Sequence, residues 1–167
     1  MITTIRKSNK DDIPRMLEIF DSAKKYMVSK GNPNQWSGPY PTAQDISKDI
    51  DEGVSFVGLD EKGNIVMTFA FILGEDLTYK VITGGSWIND DPYGTIHRIA
   101  SDGSERGVVK RACDFCFDLI DNIRIDTHED NQPMQKALND LGFKYCGVII
   151  CRNGTPRVAF QKTKDYE

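Results

Sequence analysis

The chain has 167 residues, 39% hydrophobic and 28% charged, a balance that excludes a disordered polymer and points to one globular domain over 1–167. Asp and Glu outnumber Lys and Arg by 25 to 21, for a net charge of −4, so no broad basic field is available to attract nucleic acid. The opening Met1-Ile2-Thr3-Thr4-Ile5-Arg6 lacks an apolar h-region and no long apolar run follows, which argues against secretion and membrane partners and leaves the cytoplasm as the expected compartment.

Residues 3–7 read as a first strand. After the polar break Ser8-Asn9-Lys10-Asp11, the apolar positions Ile13, Met16, Leu17, Phe20, Ala23 and Met27 recur at helical spacing, with Pro14 tolerated in the first turn. The helix is expected to stop near Gly31. The segment 32–41 is rich in Pro and Gly and carries Trp36 and Tyr40, which either line a substrate pocket or plug the core. A short helix follows over 42–51. Residues 54–59 and 64–73 are β-rich runs around Asp60-Glu61-Lys62-Gly63, a hairpin. A further strand is expected over 77–82, and 83–93 forms a second loop whose Trp87 and Tyr93 invite the same two readings as Trp36.

Residues 94–101 read as a strand carrying the pair His97-Arg98, and a helix is expected over 104–121 on the stripe Val109, Ala112, Cys113, Cys116 and Ile120. Residues 123–127 supply the next strand, so strand, helix and strand form a right-handed crossover with a parallel pair. A helix over 131–141 is closed by Gly142, and 143–151 with 157–162 flank Asn153-Gly154, a strong hairpin signal. The fold class is therefore mixed α+β: a twisted sheet of about six to seven strands with one parallel pair, flanked by about four helices.

The four cysteines are expected to be reduced. Cys113 and Cys116 have CxxC spacing, yet both fall on the apolar stripe of a helix and read as core. Cys146 and Cys151 are on opposite faces of an apparent strand and do not complete a four-thiolate site, so no metal is expected.

Parallel pairs place ligands at the carboxyl ends of their strands. Here that end is Ile99-Ala100-Ser101-Asp102-Gly103-Ser104-Glu105-Arg106-Gly107-Val108-Val109-Lys110, a strand end running through a polar loop into a helix start. Amides at a helix start lack internal acceptors and favour a phosphate, Gly107 permits close approach, and Arg106, Lys110 and Arg111 add positive charge. Asp102 or Ser104 as a plain N-cap is the other reading.

The order of elements and three passages together resemble the GCN5-related N-acetyltransferase (GNAT) superfamily over essentially the whole chain. The passages are Ile5-Arg6-Lys7 with Asp11-Asp12-Ile13, the stretch 99–109, and Asn131-Gln132-Pro133-Met134 running to Leu141-Gly142-Phe143. The family's loop pattern is Arg or Gln, two residues, Gly, one residue, then Gly or Ala. It falls on Ser104, Gly107 and Val109, so two of its positions depart, and Val109 is expected to crowd a diphosphate. The family's helix motif commonly carries a Tyr that protonates the departing thiolate; the matching residue here is Leu138.

The resemblance implies acetyl-CoA as cosubstrate and direct attack by an amine on the thioester, with the parallel pair splayed. Ile99, Ala100 and Ser101 would contact the pantetheine arm through their backbone, and Ser104, Glu105, Arg106, Gly107, Val108 and Val109 would hold the diphosphate. Asn131 and Met134 complete the cofactor-binding set. For proton handling the chain has two histidines, His97 before the splay and His128 at the end of the neighbouring strand, with Asp126 as a further candidate base; the other reading is a hydrogen-bonded core residue for His97 and a helix-capping or surface group for His128. Trp36, Tyr40, Trp87 and Tyr93 are the candidate acceptor-pocket residues. The expected activity is acetylation of a primary amine, of a small molecule in preference to a protein. The alternative is a silent CoA-binding or sensor module of the same fold. The exposed edge of the closing hairpin leaves room for a homodimer.

Overall fold

The computed structural model describes residues 1–164. They form one seven-stranded sheet in the order β1-β2-β3-β4-β5-β7-β6. The strands are β1 (Ile2–Lys7), β2 (Ser55–Asp60), β3 (Ile65–Leu73), β4 (Gly94–Ser101), β5 (Asn122–Thr127), β6 (Lys144–Ile150) and β7 (Pro156–Thr163). Only β4 and β5 are parallel neighbours; every other pair is antiparallel. The helices are α1 (Ile13–Ser29), α2 (Ala43–Asp51), α3 (Val108–Phe117) and α4 (Gln132–Asp140). Among the described residues no helix is long and apolar enough to cross a membrane.

Burial assigns the helices to the two faces. On one, Ala112, Cys113 and Cys116 of α3 and Leu138 of α4 pack on Phe69, Phe71, Ile96, Ile123, Ile125 and Phe160 of the sheet. On the other, Met16, Ile19 and Phe20 of α1 join Ile46 of α2, Val57 and Ala100. Each buried Leu, Ile, Met or Phe among them contributes about 1.5–3 kcal/mol of transfer free energy, so these stripes dock the helices on the sheet. Cys113 and Cys116 are core groups, and burial pushes the Cys113 thiol up to about 12. A third cluster of Tyr79, Tyr93, Ile149 and Ala159 lies under the segment between β3 and β4.

Two elements differ from the sequence reading. The strand expected over 77–82 is a 3-10 turn, Leu77–Tyr79, with only Thr83 bridging to Val148 of β6. Asp76 is responsible: its Oδ1 accepts the Thr78 amide at 2.9 Å and the Thr78 hydroxyl at 2.7 Å, which curls the chain before it can extend. The helix expected over 104–121 is shorter, ending at Phe117 and starting only at Val108, because Gly107 is left-handed (φ 68°) and acts as its N-cap. Thr42 and Asn131, placed inside helices by periodicity, are the caps of α2 and α4, accepting the amides of Asp45 and Met134.

Candidate active site at the opening between β4 and β5

The two parallel strands share rungs only where Gly94 meets Ile123 and Thr95 meets Arg124. Beyond Thr95, β4 stays with β3 and beyond Arg124, β5 stays with β7, so the facing edges diverge. A bulge in β4 reinforces this. Between His97↔Ala70 and Ala100↔Thr68, two β4 residues oppose one β3 residue, and Arg98 takes a positive φ of 50°. The bulge reverses the alternation, putting Ile99 against the α3 core and Ala100 against the α1 core. Arg98 is anchored by Asp49 of α2 and donates to the Tyr40 hydroxyl at 3.0 Å, tying the loop 32–41 to the strained strand.

At the carboxyl end of β4 the loop 102–107 is organised by its acids. Asp102 Oδ1 accepts the Ser104 amide at 2.9 Å and its hydroxyl at 2.6 Å, and Oδ2 pairs with Arg15 of α1 at 2.7 Å. Glu105 pairs with the amino group of Met1 at 2.6 Å. Among the described residues the amides of 105–110 donate to no protein acceptor, and exposed Arg106 has no ion-pair partner. Of the amides expected to face a phosphate, that of Ser104 is engaged inside the loop and those of 105–109 have no protein acceptor among the described residues. Val109 packs its side chain against the α3-side core, as its place on the apolar stripe of the helix implies. Asn131 sits at the mouth, its side-chain amide donating to Gln35 Oε1 at 2.9 Å.

His97 and Asp126 border the opening on one face. In a strand alternate residues share a face, and Ile96 and Ile125 both enter the α3-side core, so His97 and Asp126 point the other way. There His97 Nε2 meets Asp76 Oδ2 at 3.2 Å, and Asp126 Oδ2 accepts the Tyr79 hydroxyl at 2.5 Å. Burial penalises the Asp76 charge, but the hydrogen bonds from His97 and Thr78 outweigh it and hold the carboxyl well below its ordinary range. Burial and the Asp126 charge push the Tyr79 hydroxyl well above the ordinary tyrosine value, so it stays protonated. His128 lies past the end of β5 and its Nδ1 accepts the Asp130 amide at 3.0 Å, shaping the turn into α4.

The aromatics divide into two groups. Trp36 meets Phe20 edge-on at 5.6 Å and Tyr40 is held by Arg98. Trp87 and Tyr93 both pack on the Arg124 guanidinium, each ring centroid 4.1 Å away. Leu138 is fully buried in the core, so no hydroxyl approaches the opening from that position. Asp76, Tyr79 and Gln35 were not singled out by the sequence. Gln35 Oε1 accepts Asn32 (2.9 Å), Thr127 (3.2 Å) and Asn131 (2.9 Å), and its carbonyl accepts Arg157 (3.0 Å). A concavity of about 460 Å³ lined by Gly142, Lys144, Gln161 and Lys162 lies at the other end of β5.

Among solved structures, the chain is similar to a GNAT-family acetyltransferase from Streptococcus agalactiae 2603, with 31% identity over 98% of this chain and 96% of that one and a TM-score of 0.88. A putative acetyltransferase from Staphylococcus aureus Mu50 shares the fold at 19% identity, covering 96% of this chain and 99% of that one, with a TM-score of 0.70. So does a GNAT-superfamily phosphinothricin acetyltransferase from Sinorhizobium meliloti in complex with AcCoA, at 15% identity over 98% and 89% of the chains and a TM-score of 0.59. No protein-family model and no curated protein matches.

Proposed function

The chain belongs to the GNAT family of acetyltransferases, and on that premise we propose that it transfers an acetyl group from acetyl-CoA to a primary amine of a small molecule by direct attack. The observation that carries this reading is the divergence of β4 and β5 after two shared rungs. The donors at its mouth suit the cofactor: the unengaged amides of 105–110 and Arg106 offer hydrogen bonds and charge to a diphosphate. The loop's own carboxylates are neutralised by Arg15 and the amino terminus, which limits repulsion. The freed edges of Ile99, Ala100 and Ser101 can receive the pantetheine arm as a strand receives its neighbour.

Bound there, acetyl-CoA supplies the acetyl thioester and a thiolate leaving group. The protein's part is to hold the arm, admit the amine on the His97 and Asp126 face, and move protons. A primary amine arrives as an ammonium, attracted to Asp126, and gives one proton to His97. Its freed electron pair forms the bond to the acetyl carbon while the carbon–sulfur bond breaks, the pair leaving on sulfur. The nitrogen then sheds a second proton; one of the two released ends on sulfur and the other in solvent. Trp36 and Tyr40, on the loop tied to β4 through Arg98, are the acceptor-side aromatics, while Trp87 and Tyr93 pack on Arg124 of β5.

Buried Leu138 favours one competing reading, a module that binds CoA without turning it over. Thiol release from acetyl-CoA across a panel of amines separates the two. Turnover above the background rate with at least one small amine is expected. Saturable CoA binding with no thiol release contradicts the proposal.

A further inference from the structure

We infer that Asp76 and Tyr79 are positioning residues of the acceptor site: from one 3-10 turn they set the proton-bearing nitrogen of His97 and the open oxygen of Asp126 on the two strands that border the opening. The inference rests on the acetyl-transfer reading above and adds residues outside β4 and β5 to its machinery.

The turn itself is fixed. Asp76 caps it through the amide and hydroxyl of Thr78 (2.9 and 2.7 Å), and the Asp76 amide donates to the Tyr93 hydroxyl oxygen at 2.8 Å. Tyr79 is 1% exposed, its ring lies against Trp87 and Tyr93, and its carbonyl accepts Trp87 Nε1 at 2.9 Å. From this base one group reaches each strand: Asp76 meets His97 of β4, and Tyr79 meets Asp126 of β5.

An ionised carboxylate only accepts hydrogen bonds, so the His97 nitrogen that faces Asp76, Nε2, must carry the proton. Nδ1 is then the basic nitrogen, and among the described residues it has no protein partner. A tyrosine that keeps its proton does the reverse for Asp126. It donates to Oδ2, orienting the carboxylate and leaving Oδ1 with no protein partner among the described residues to receive an ammonium. The turn thus presents a base on one strand and an acceptor anchor on the other, which suits a cationic primary amine.

The tautomer gives a test that needs neither cofactor nor turnover. With two histidines in the chain, nitrogen-15 spectra of the imidazoles distinguish Nε2–H from Nδ1–H in the free protein. The expected result is Nε2–H for His97 in the wild type and in Asp76→Glu, and a shift to Nδ1–H in Asp76→Asn, whose amide donates where the carboxylate accepted. In steady-state assays Asp76→Asn is expected to lower kcat at least about 10-fold with the amine KM little changed. Tyr79→Phe is expected to raise the amine KM about 10-fold with kcat and tautomer unchanged. Thiol release by the wild type with the His97 tautomer unmoved in Asp76→Asn overturns the inference and leaves acetyl transfer standing. A wild type that frees no thiol with any amine overturns the acetyl-transfer reading and the inference with it.

Discussion

His97 and Asp126 are matched across the opening: each stands two residues beyond the last shared rung, Thr95 with Arg124, and both face away from the α3-side core. A sheet that stayed zipped would place such a pair side by side under a covering layer. Divergence at that point sets a nitrogen base and a carboxylate on opposite banks of one gap.

Replacing His97 by Ala is expected to lower kcat about 100- to 10,000-fold, the range for a general base in a transferase step. Replacing His128 by Ala is expected to leave kcat within about 2-fold, because its Nδ1 serves the Asp130 amide. Parallel kinetics on the two variants check the assignment; equal losses contradict it.

Gly107 opens α3 with a φ of 68°, and a Cβ built there meets nothing within 4 Å. The cost of Gly107→Ala is therefore conformational, about 1–2 kcal/mol, readable from the midpoint of urea unfolding. The amides that follow would rotate as the backbone relaxes, so CoA affinity is expected to fall as well, by calorimetry.

Arg106 is exposed and, among the described residues, has no ion-pair partner beside the free amides. Arg106→Ala is expected to weaken CoA binding about 3- to 10-fold at low ionic strength, with the difference shrinking as salt screens the charge. A loss independent of salt would assign the residue another role.

Asp76 links stability to pH. Its folded-state carboxyl is held below the ordinary value despite burial, because His97 and Thr78 bond the ionised form. That stabilisation is fully present above the ordinary carboxylate value, roughly 3.9, and is lost as pH falls toward the folded-state value. Asp76→Asn lacks it throughout. The wild type should be the more stable at neutral pH, with the gap constant down to about pH 4 and narrowing below it as denaturation is repeated toward pH 3.

The parallel pair was legible because a helix between two strands demands a crossover. His97 and Asp126 could be named from their places in the strands. The turn that organises them could not. Asp76 followed by Thr78 announces a cap, but the partner His97 is 21 residues away and Asp126 is 47 residues from Tyr79. The start of α3 is hidden for a different reason: apolar periodicity runs back to Val109 and is silent about the left-handed Gly107 before it. Likewise the contact of Trp87 and Tyr93 with Arg124, buried on β5, joins residues 31 or more positions apart that no local pattern connects.

The central claim is that acetyl-CoA enters between β4 and β5, and backbone amide spectra recorded during a CoA titration test it most directly. Saturable shifts are expected for the amides of 96–101, 105–110 and 125–131, with those lining the concavity at the far end of β5, such as Gly142 and Lys162, unmoved. Shifts confined to that concavity, or none at any CoA concentration, would contradict the account.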